Sequence, residues 1–205
     1  MSKFQKKNFL IILISPSGGG KSAILKQVLC DNNNIKYSIS YTTRKPRKTE
    51  KTGIDYNFVS DEEFHKLQKS GDLLESALVH GYWYGTSKKY IETELNKGHH
   101  IIMDIDVQGA KQIISKIDDA VSIFILPPSN KILIDRLIGR GTDSKEEIEI
   151  RLRNANNEMN EITCFQYLII NDDFDKAVKQ VMDIIKVEEN KINRYKNIES
   201  DFYGG

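Results

Sequence analysis

Apolar runs recur along this chain, and segments with helical spacing separate most of them. The run Phe9–Ile14, "FLIILI", predicts a buried strand, and Ala23–Leu29 continues as an amphipathic helix. Further strands are predicted at 56–59 (YNFV), 72–79 (DLLESALV), 99–105 (HHIIMDI), 121–126 (VSIFIL) and 167–170 (YLII). Helical patterns cover 61–69, 87–97, 108–116, 129–139 and 144–160, and a last one runs from Asp173 to about Arg194. Continuous apolar strands alternating with helices predict an α/β fold with a largely parallel central sheet flanked by helices. Two regions break the alternation. The stretch 38–60 is polar and contains the basic, turn-rich "TTRKPRKTEKTG". The stretch 140–160, "RGTDSKEEIEIRLRNANNEMN", is charged without a wide apolar face, which suits a solvated surface helix or a lid.

The first strand runs into "SPSGGGKS", Ser15–Ser22. This matches the phosphate-binding pattern G-x-x-x-x-G-K-[ST] except that Ser15 stands at the first glycine. Such a loop turns successive backbone N–H groups toward phosphate oxygens. The lysine adds a mobile positive charge, and the hydroxyl after it ligates Mg²⁺, here Lys21 and Ser22. Gly18, Gly19 and Gly20 supply the bare backbone that close approach demands. The alternative, a glycine-rich turn with Lys-Ser after it by chance, does not explain why strand, loop and helix follow in this order.

Composition narrows the classes. The 205 residues suffice for one domain, with or without inserted lobes. With 30 basic and 29 acidic residues the formal net charge is +1, which argues against a broad nucleic-acid binder. Cys30 and Cys164 read as free thiols of a reducing compartment. The apolar run near the start leads into the glycine loop rather than a cleavage site, so no leader peptide is expected. No segment approaches the roughly 18 apolar residues of a membrane span, and a cytoplasmic protein is expected. His65, His80, His99 and His100 lack H-E-x-x-H spacing. No N-K-x-D stretch is present to read guanine as regulatory GTPases do.

Other residues suit phosphate chemistry. Asp104 ends the apolar run of "IIMDIDVQG", so its carboxylate is expected at the carboxyl edge of a strand, where α/β sheets bind ligands. There it would help Ser22 hold Mg²⁺, directly or through water, with Asp106 beside it; both carboxylates equally suit caps of the next helix. Arg44 and Arg47, beside Ser40, Thr42, Thr43 and Tyr56, suit a phosphate-monoester cradle or a basic surface loop. Arg136, Arg140 and Arg151 are placed either to stabilise a transferring phosphoryl group or as solvated helix charges. Trp83 lies in "HGYWYGTS", read as an aromatic loop.

Together "PSGGGKS", "TTRKPR", "YGTS", "MDIDVQGA", "FILPPS" and "INDD" resemble the guanylate kinase family over nearly the whole chain. The resemblance implies a P-loop kinase with a core (1–37, 94–130 and 161–205), an inserted GMP-binding lobe (38–93) and a helical lid (131–160). It implies that Ser15, Pro16, Ser17, Gly18, Gly19, Gly20, Lys21 and Ser22 hold ATP together with Arg136, and that Asn171 lies near its adenine. Arg44, Arg47, Tyr56 and Tyr84 match residues on the GMP phosphate; Ser40, Glu75, Thr86 and Asp106 match those that read guanine, with Thr43 and Gly85 in the same motifs. Lys21, Arg47, Arg140 and Arg151 are the implied catalytic set, with Mg²⁺ as cofactor and with ATP and GMP as partners. Ser15, Tyr41 and Ile170 depart from the family pattern.

Guanine presents N1–H and N2–H₂ as adjacent donors, which a carboxylate at Glu75 would match. Hydroxyls of Ser40 and Thr86 are expected to donate to O6. Without the resemblance, Glu75 reads as an exposed strand charge. Two rival functions follow from the same motifs. One is a P-loop kinase for another small acceptor, against which Glu75 argues. The other is a non-catalytic guanylate-kinase-like module that binds phosphopeptides, against which the intact Gly20–Lys21–Ser22 argues.

Overall fold

A computed structural model describes residues 4–79, 81–139 and 145–203. After the short strand β1 (Gln5–Lys6), the first apolar run forms β2 (Leu10–Ile14), buried at every position. Helix α1 (Lys21–Asp31) and strand β3 (Ile35–Tyr37) follow, then the two-residue strands β4 (Tyr41–Thr42) and β5 (Asn57–Phe58). Helix α2 (Asp61–Lys69), the hairpin strands β6 (Leu73–Val79) and β7 (Tyr82–Ser87), and helix α3 (Lys88–Asn96) come next. The second half holds β8 (His100–Asp104), α4 (Val107–Ile114), β9 (Val121–Leu126), α5 (Asn130–Ile138) and α6 (Lys145–Asn160). It closes with β10 (Tyr167–Ile170), α7 (Phe174–Glu189), β11 (Tyr195–Lys196) and α8 (Ile198–Tyr203).

The central sheet has the order β10-β9-β2-β8-β3, and every pairing in it is parallel. Strand β2 is apolar throughout because both of its faces are covered. Ile11 and Leu13 pack with Ile24 and Val28 of α1 and with Val178 and Val181 of α7. Leu10, Ile12 and Ile14 face the opposite layer, with Ile91 of α3 and Ala110 and Ile113 of α4. Burying each such side chain contributes about 1.5–3 kcal/mol, so the strand that feeds the glycine loop is anchored at every residue. Among the described residues no helix is long and apolar enough to cross a membrane.

A second sheet, β5-β4-β7-β6, is built within residues 41–87. Here the structure corrects the reading of "YWYGTS" as a loop: it is strand β7, antiparallel to both β4 and β6. Gly85 hid it, being a poor strand former. A Cβ on Gly85 would stand 2.9 Å from Leu73 and 3.0 Å from the ring of Phe64, so crowding leaves room only for glycine.

Helix α7, predicted to run to about Arg194, stops at Glu189. Arg194 turns inward instead: it is 3% exposed, lies 4.3 Å over the Phe9 ring, and its Nη2 donates to Glu188 Oε2 at 3.4 Å and Asp119 O at 2.8 Å. Residues six apart on a helix face different ways, so the Glu188–Arg194 pair requires the helix to end between them. Beneath it lies His100, tilted against Phe9 with ring centroids 4.2 Å apart. The Phe9 amide donates to His100 Nδ1 at 3.3 Å, and Nε2 lies 3.1 Å from Glu189 Oε1.

Burial holds His100 below its ordinary pKa of 6.5, and Arg194 adds to this, although Glu189 pulls the other way. The folded state therefore resists the proton that the unfolded chain accepts below about pH 6.5, and stability is lost as pH falls through that range. We expect urea titrations to show a loss of up to about 1.4 kcal/mol per pH unit below pH 6.5, which His100→Asn removes. Equal pH slopes in the two proteins would exclude His100 as the source.

Candidate active site

Between β2 and α1 the chain turns through Ser15–Gly20. Gly18 and Gly20 have φ of +93° and +96°, a region that side chains disfavour. The Gly19 amide closes the turn on Pro16 O at 2.9 Å. Ser15 folds its hydroxyl back to Pro16 O at 3.1 Å, and a Cβ on Gly19 would stand 1.9 Å from that oxygen. The serine thus fills the space under Gly19. Asn171, expected toward adenine, supports the loop from behind: its Nδ2 donates to Gly19 O at 2.8 Å, and it leaves no room for a Cβ on Gly20. Arg136 on α5 donates from Nη2 to Asn171 O at 3.3 Å, while its buried Nη1 has no hydrogen-bond partner among the described residues.

A cavity of about 560 Å³ opens over this loop. Its walls combine Ser15–Gly18 and Gly20–Ser22 with Asp104 and Asp106 from the end of β8, Tyr56 and Tyr84 from the second sheet, and Glu158 from α6. The sheet places them together, because parallel strands deliver their carboxyl ends to one edge. Lys21 reaches across to Ile105 O at 3.4 Å. Asp104 accepts a 2.6 Å hydrogen bond from the Tyr37 hydroxyl. Burial, then Asp104, raises the Tyr37 pKa, which keeps that hydroxyl protonated and donating. Asp106 caps α4 by accepting from the Gly109 amide at 3.0 Å, so the capping alternative and the cavity position hold for it at once.

Glu75 is not an exposed strand charge. It is 4% exposed, with Oε1 accepting from the Thr86 hydroxyl at 2.7 Å. Its Oε2 lies against α4, where a Cβ on Gly109 would come within 2.5 Å of it. Burial pushes its pKa up to about 7, Asp106 adding to the rise and Thr86 opposing it. Thr86 spends its one proton on Glu75, so it orients the carboxylate and has none left for a second acceptor. Ser40 is buried nearby at 6% exposure. Thr43 ties β4 to β7, its Oγ1 accepting from the Trp83 amide at 3.1 Å.

The basic loop is more structured than "TTRKPRKTEKTG" implied. Arg44 makes a two-pronged pair with Glu50, Nη1 to Oε2 and Nη2 to Oε1 both at 2.9 Å, and its Nε donates to the Tyr84 hydroxyl at 3.3 Å. The Arg47 amide donates to Glu50 Oε2 at 2.7 Å. Hydrogen bonds from Arg44 hold the Glu50 carboxyl below its ordinary range. Arg44 and Arg47 do not line the cavity; Tyr56 and Tyr84, with ring centroids 5.8 Å apart, do.

From α6, Arg151 donates Nη1 to Ser17 Oγ at 3.2 Å, which lays that helix over the loop. Arg140 lies outside the described residues, as does His80. Glu158 was not anticipated. It lines the cavity with one oxygen buried and without a hydrogen-bond partner, and burial raises its pKa to about 7, although Lys21 draws it down. A carboxylate late in a charged helix carries no signal in sequence. Glu50, Gly109 and Tyr37 were also missed; only their contacts distinguish them.

A sequence model described as guanylate kinase matches residues 7–188. A guanylate kinase of Rickettsia prowazekii (strain Madrid E) is 44% identical over 189 residues, covering 92% of this chain and 96% of that protein. One from Clostridioides difficile (strain 630) is 43% identical over 195 residues, covering 95% of each. The crystal structure of guanylate kinase from Anaplasma phagocytophilum superposes with a TM-score of 0.82 at 31% identity, covering 99% of this chain and 97% of that one.

The packing of Ser15 under Gly19 is testable without ligand. Gly19→Ala forces its methyl onto the serine hydroxyl, and we expect a loss of about 1–3 kcal/mol by denaturant titration. Adding Ser15→Gly should return part of it, because Pro16 O still stands 3.1 Å from the new Cβ. No recovery in the double variant would place the clash elsewhere.

Proposed function

The chain belongs to the guanylate kinase family, and we propose that it transfers the γ-phosphoryl group of ATP to GMP, giving ADP and GDP, through the residues around this cavity. The observation that carries the assignment of residues is the cavity itself, which joins the glycine loop to Asp106, Tyr56 and Tyr84. In this reading the second sheet belongs to an acceptor lobe (38–93), and α5 and α6 to a lid (131–160).

The loop amides and Lys21 hold the β- and γ-phosphates of ATP, with Arg136 and Asn171 behind them. Tyr56, Tyr84, Arg44 and Arg47 receive the GMP phosphate. The Arg44–Glu50 pair holds one guanidinium beside Tyr84 before any ligand arrives, so little ordering is left for binding to complete. Glu75, fixed by Thr86, accepts guanine N1–H and N2–H₂, assisted by Asp106 and Ser40. Adenine would set its N1 lone pair against that carboxylate and leave buried groups unpaired. No side chain forms a covalent intermediate. Arg47, Arg140 and Arg151 neutralise charge spread over the equatorial oxygens, and lid closure excludes water.

The donor set fits Mg²⁺. Ser22 and Asp104 offer hard oxygens on the same wall, and among the described residues no group of three or more His, Cys, Asp or Glu could cage an ion alone. That suits an ion which keeps waters and takes phosphate oxygens as ligands. Bound there with ATP, it would neutralise β- and γ-phosphate charge.

A coupled assay with ATP and a panel of nucleoside monophosphates tests the reading; a preference for AMP over GMP would overturn it. Lys21→Ala should lower turnover at least about 10²-fold, or ~2.7 kcal/mol of barrier, with GMP binding nearly unchanged. Retention of turnover would remove Lys21 from the mechanism.

Glu75→Gln exposes two opposed effects. It turns one acceptor into a donor facing a donor, so kcat/KM for GMP should fall by roughly one to two orders of magnitude, narrowing the GMP:AMP ratio. The same change should stabilise the ligand-free protein. The folded pKa of about 7 lies above the usual 4.5, so the wild type loses stability as pH rises from 4.5 through 7, and a neutral glutamine does not. At pH 8 we expect a gain on the order of 1–3 kcal/mol. A Glu75→Gln protein that is no more stable at pH 8, with an unchanged GMP:AMP ratio, would return Glu75 to an ordinary strand residue.

A further inference from the structure

Among the described residues, Asp104 is the one cavity carboxylate fixed by a hydroxyl from a neighbouring strand of the same sheet. Strand β3 runs parallel to β8 with Tyr37 opposite Ile102, so Asp104 lies two residues further along β8 on the same face. Same-face neighbours on a strand are separated by about 6.6 Å, and strand side chains lean along the strand. A tyrosine is long enough to bridge that offset, and its hydroxyl reaches Asp104 Oδ1 at 2.6 Å. Phenylalanine would fill the same volume and donate nothing. Tyr37 is itself held from the other end: its carbonyl accepts from the Tyr90 hydroxyl at 3.1 Å, and the next amide, Ser38, donates to Ile102 O at 2.9 Å. The ring is thus pinned where the chain leaves the central sheet for the second one.

We infer that Tyr37 is a positioning residue: by engaging Oδ1 it fixes the Asp104 carboxylate so that Oδ2 faces the Mg²⁺ ion of the bound nucleotide or one of its waters. The inference rests on the reading of Asp104 and Ser22 as the metal side of the site and adds a residue to it. A carboxylate held at one oxygen by a donor keeps one rotamer, and losing such an outer partner typically costs 10–100-fold in metal affinity or activity. Tyr37 touches neither nucleotide nor metal in this scheme, so its effect passes through Asp104 alone.

The test is Tyr37→Phe, read by titration calorimetry with MgADP and with ADP in EDTA. Wild type should bind MgADP more tightly than ADP. In Tyr37→Phe that preference should shrink about tenfold, while the affinity for metal-free ADP and the melting temperature stay within error. In kinase assays the Mg²⁺ concentration for half-maximal rate should rise about tenfold, and excess Mg²⁺ should restore the wild-type kcat. A merely structural role would lower kcat at every Mg²⁺ concentration without moving the midpoint. An unchanged MgADP:ADP ratio in Tyr37→Phe, beside a normal ratio in wild type, overturns the role of Tyr37 and leaves the metal reading intact. A wild type that binds ADP and MgADP alike overturns the metal reading itself, and the role of Tyr37 with it. Asp104→Asn is the reference: combining it with Tyr37→Phe should add no further loss of the MgADP preference, and an additive loss would show that the two act separately.

Discussion

The site depends on a turn whose backbone has to stay bare. Gly18 and Gly20 hold positive φ, and side chains from outside the loop and within it close on all three of its glycines. Leu133 of α5 lies 3.2 Å from where a Gly18 Cβ would stand, Asn171 crowds Gly20, and the Ser15 hydroxyl occupies the space under Gly19. Each contact uses the absence of a side chain, so the glycines serve packing as well as approach to phosphate. Strand β2 makes this affordable. Its burial on both faces fixes where the loop starts, and the helix that leaves the loop is locked to β2 through Ile24 and Val28.

Around that turn, most of the donors assigned to ligands already have protein partners. Lys21 rests on a backbone carbonyl, Thr86 on Glu75, Arg44 on Glu50, and Arg151 on Ser17. A buried donor without a partner is costly, so a site rich in donors has to satisfy them internally before substrate arrives. The partners differ in kind. Glu50 grips Arg44 through two parallel bonds and holds it beside Tyr84. Ile105 O meets Lys21 with a single long bond, which phosphate oxygens outcompete through charge. Arg44 is therefore set in advance, whereas Lys21 is held by one bond alone.

The sequence made the parallel sheet legible because burial on two faces writes a continuous apolar run, and such runs do not depend on distant residues. The second sheet was only partly legible. Its strands β5 and β6 fall within the predicted 56–59 and 72–79, but Tyr41–Thr42 is too short to show a period, and β7 carries a glycine that belongs to its packing against Phe64. Among site residues, the loop and the strand-tip aspartates stood out because local order defines them. Glu75 was legible only through family resemblance, since nothing in "DLLESALV" says which face is covered by α4. Glu158, Glu50 and Tyr37 draw their importance from partners between 6 and 137 positions away: Arg44 for Glu50, Asp104 for Tyr37, Lys21 for Glu158. No pattern along the chain encodes a pairing of that range.

The carboxylates explain why such a site needs a strong core beneath it. Glu75 on β6 and Glu158 on α6 are both pushed up to about 7, chiefly by burial, and Asp106 at the start of α4 raises both. The three lie on the second sheet, on α6 and beside the central sheet. Drawing these segments together around an empty cavity brings like charges closer in a medium that screens them poorly. The Thr86 hydroxyl relieves that repulsion at Glu75, and the ammonium of Lys21 relieves it at Glu158. The acidic wall therefore works against the packing of these segments, and the apolar strands on which the glycine loop also stands offset it.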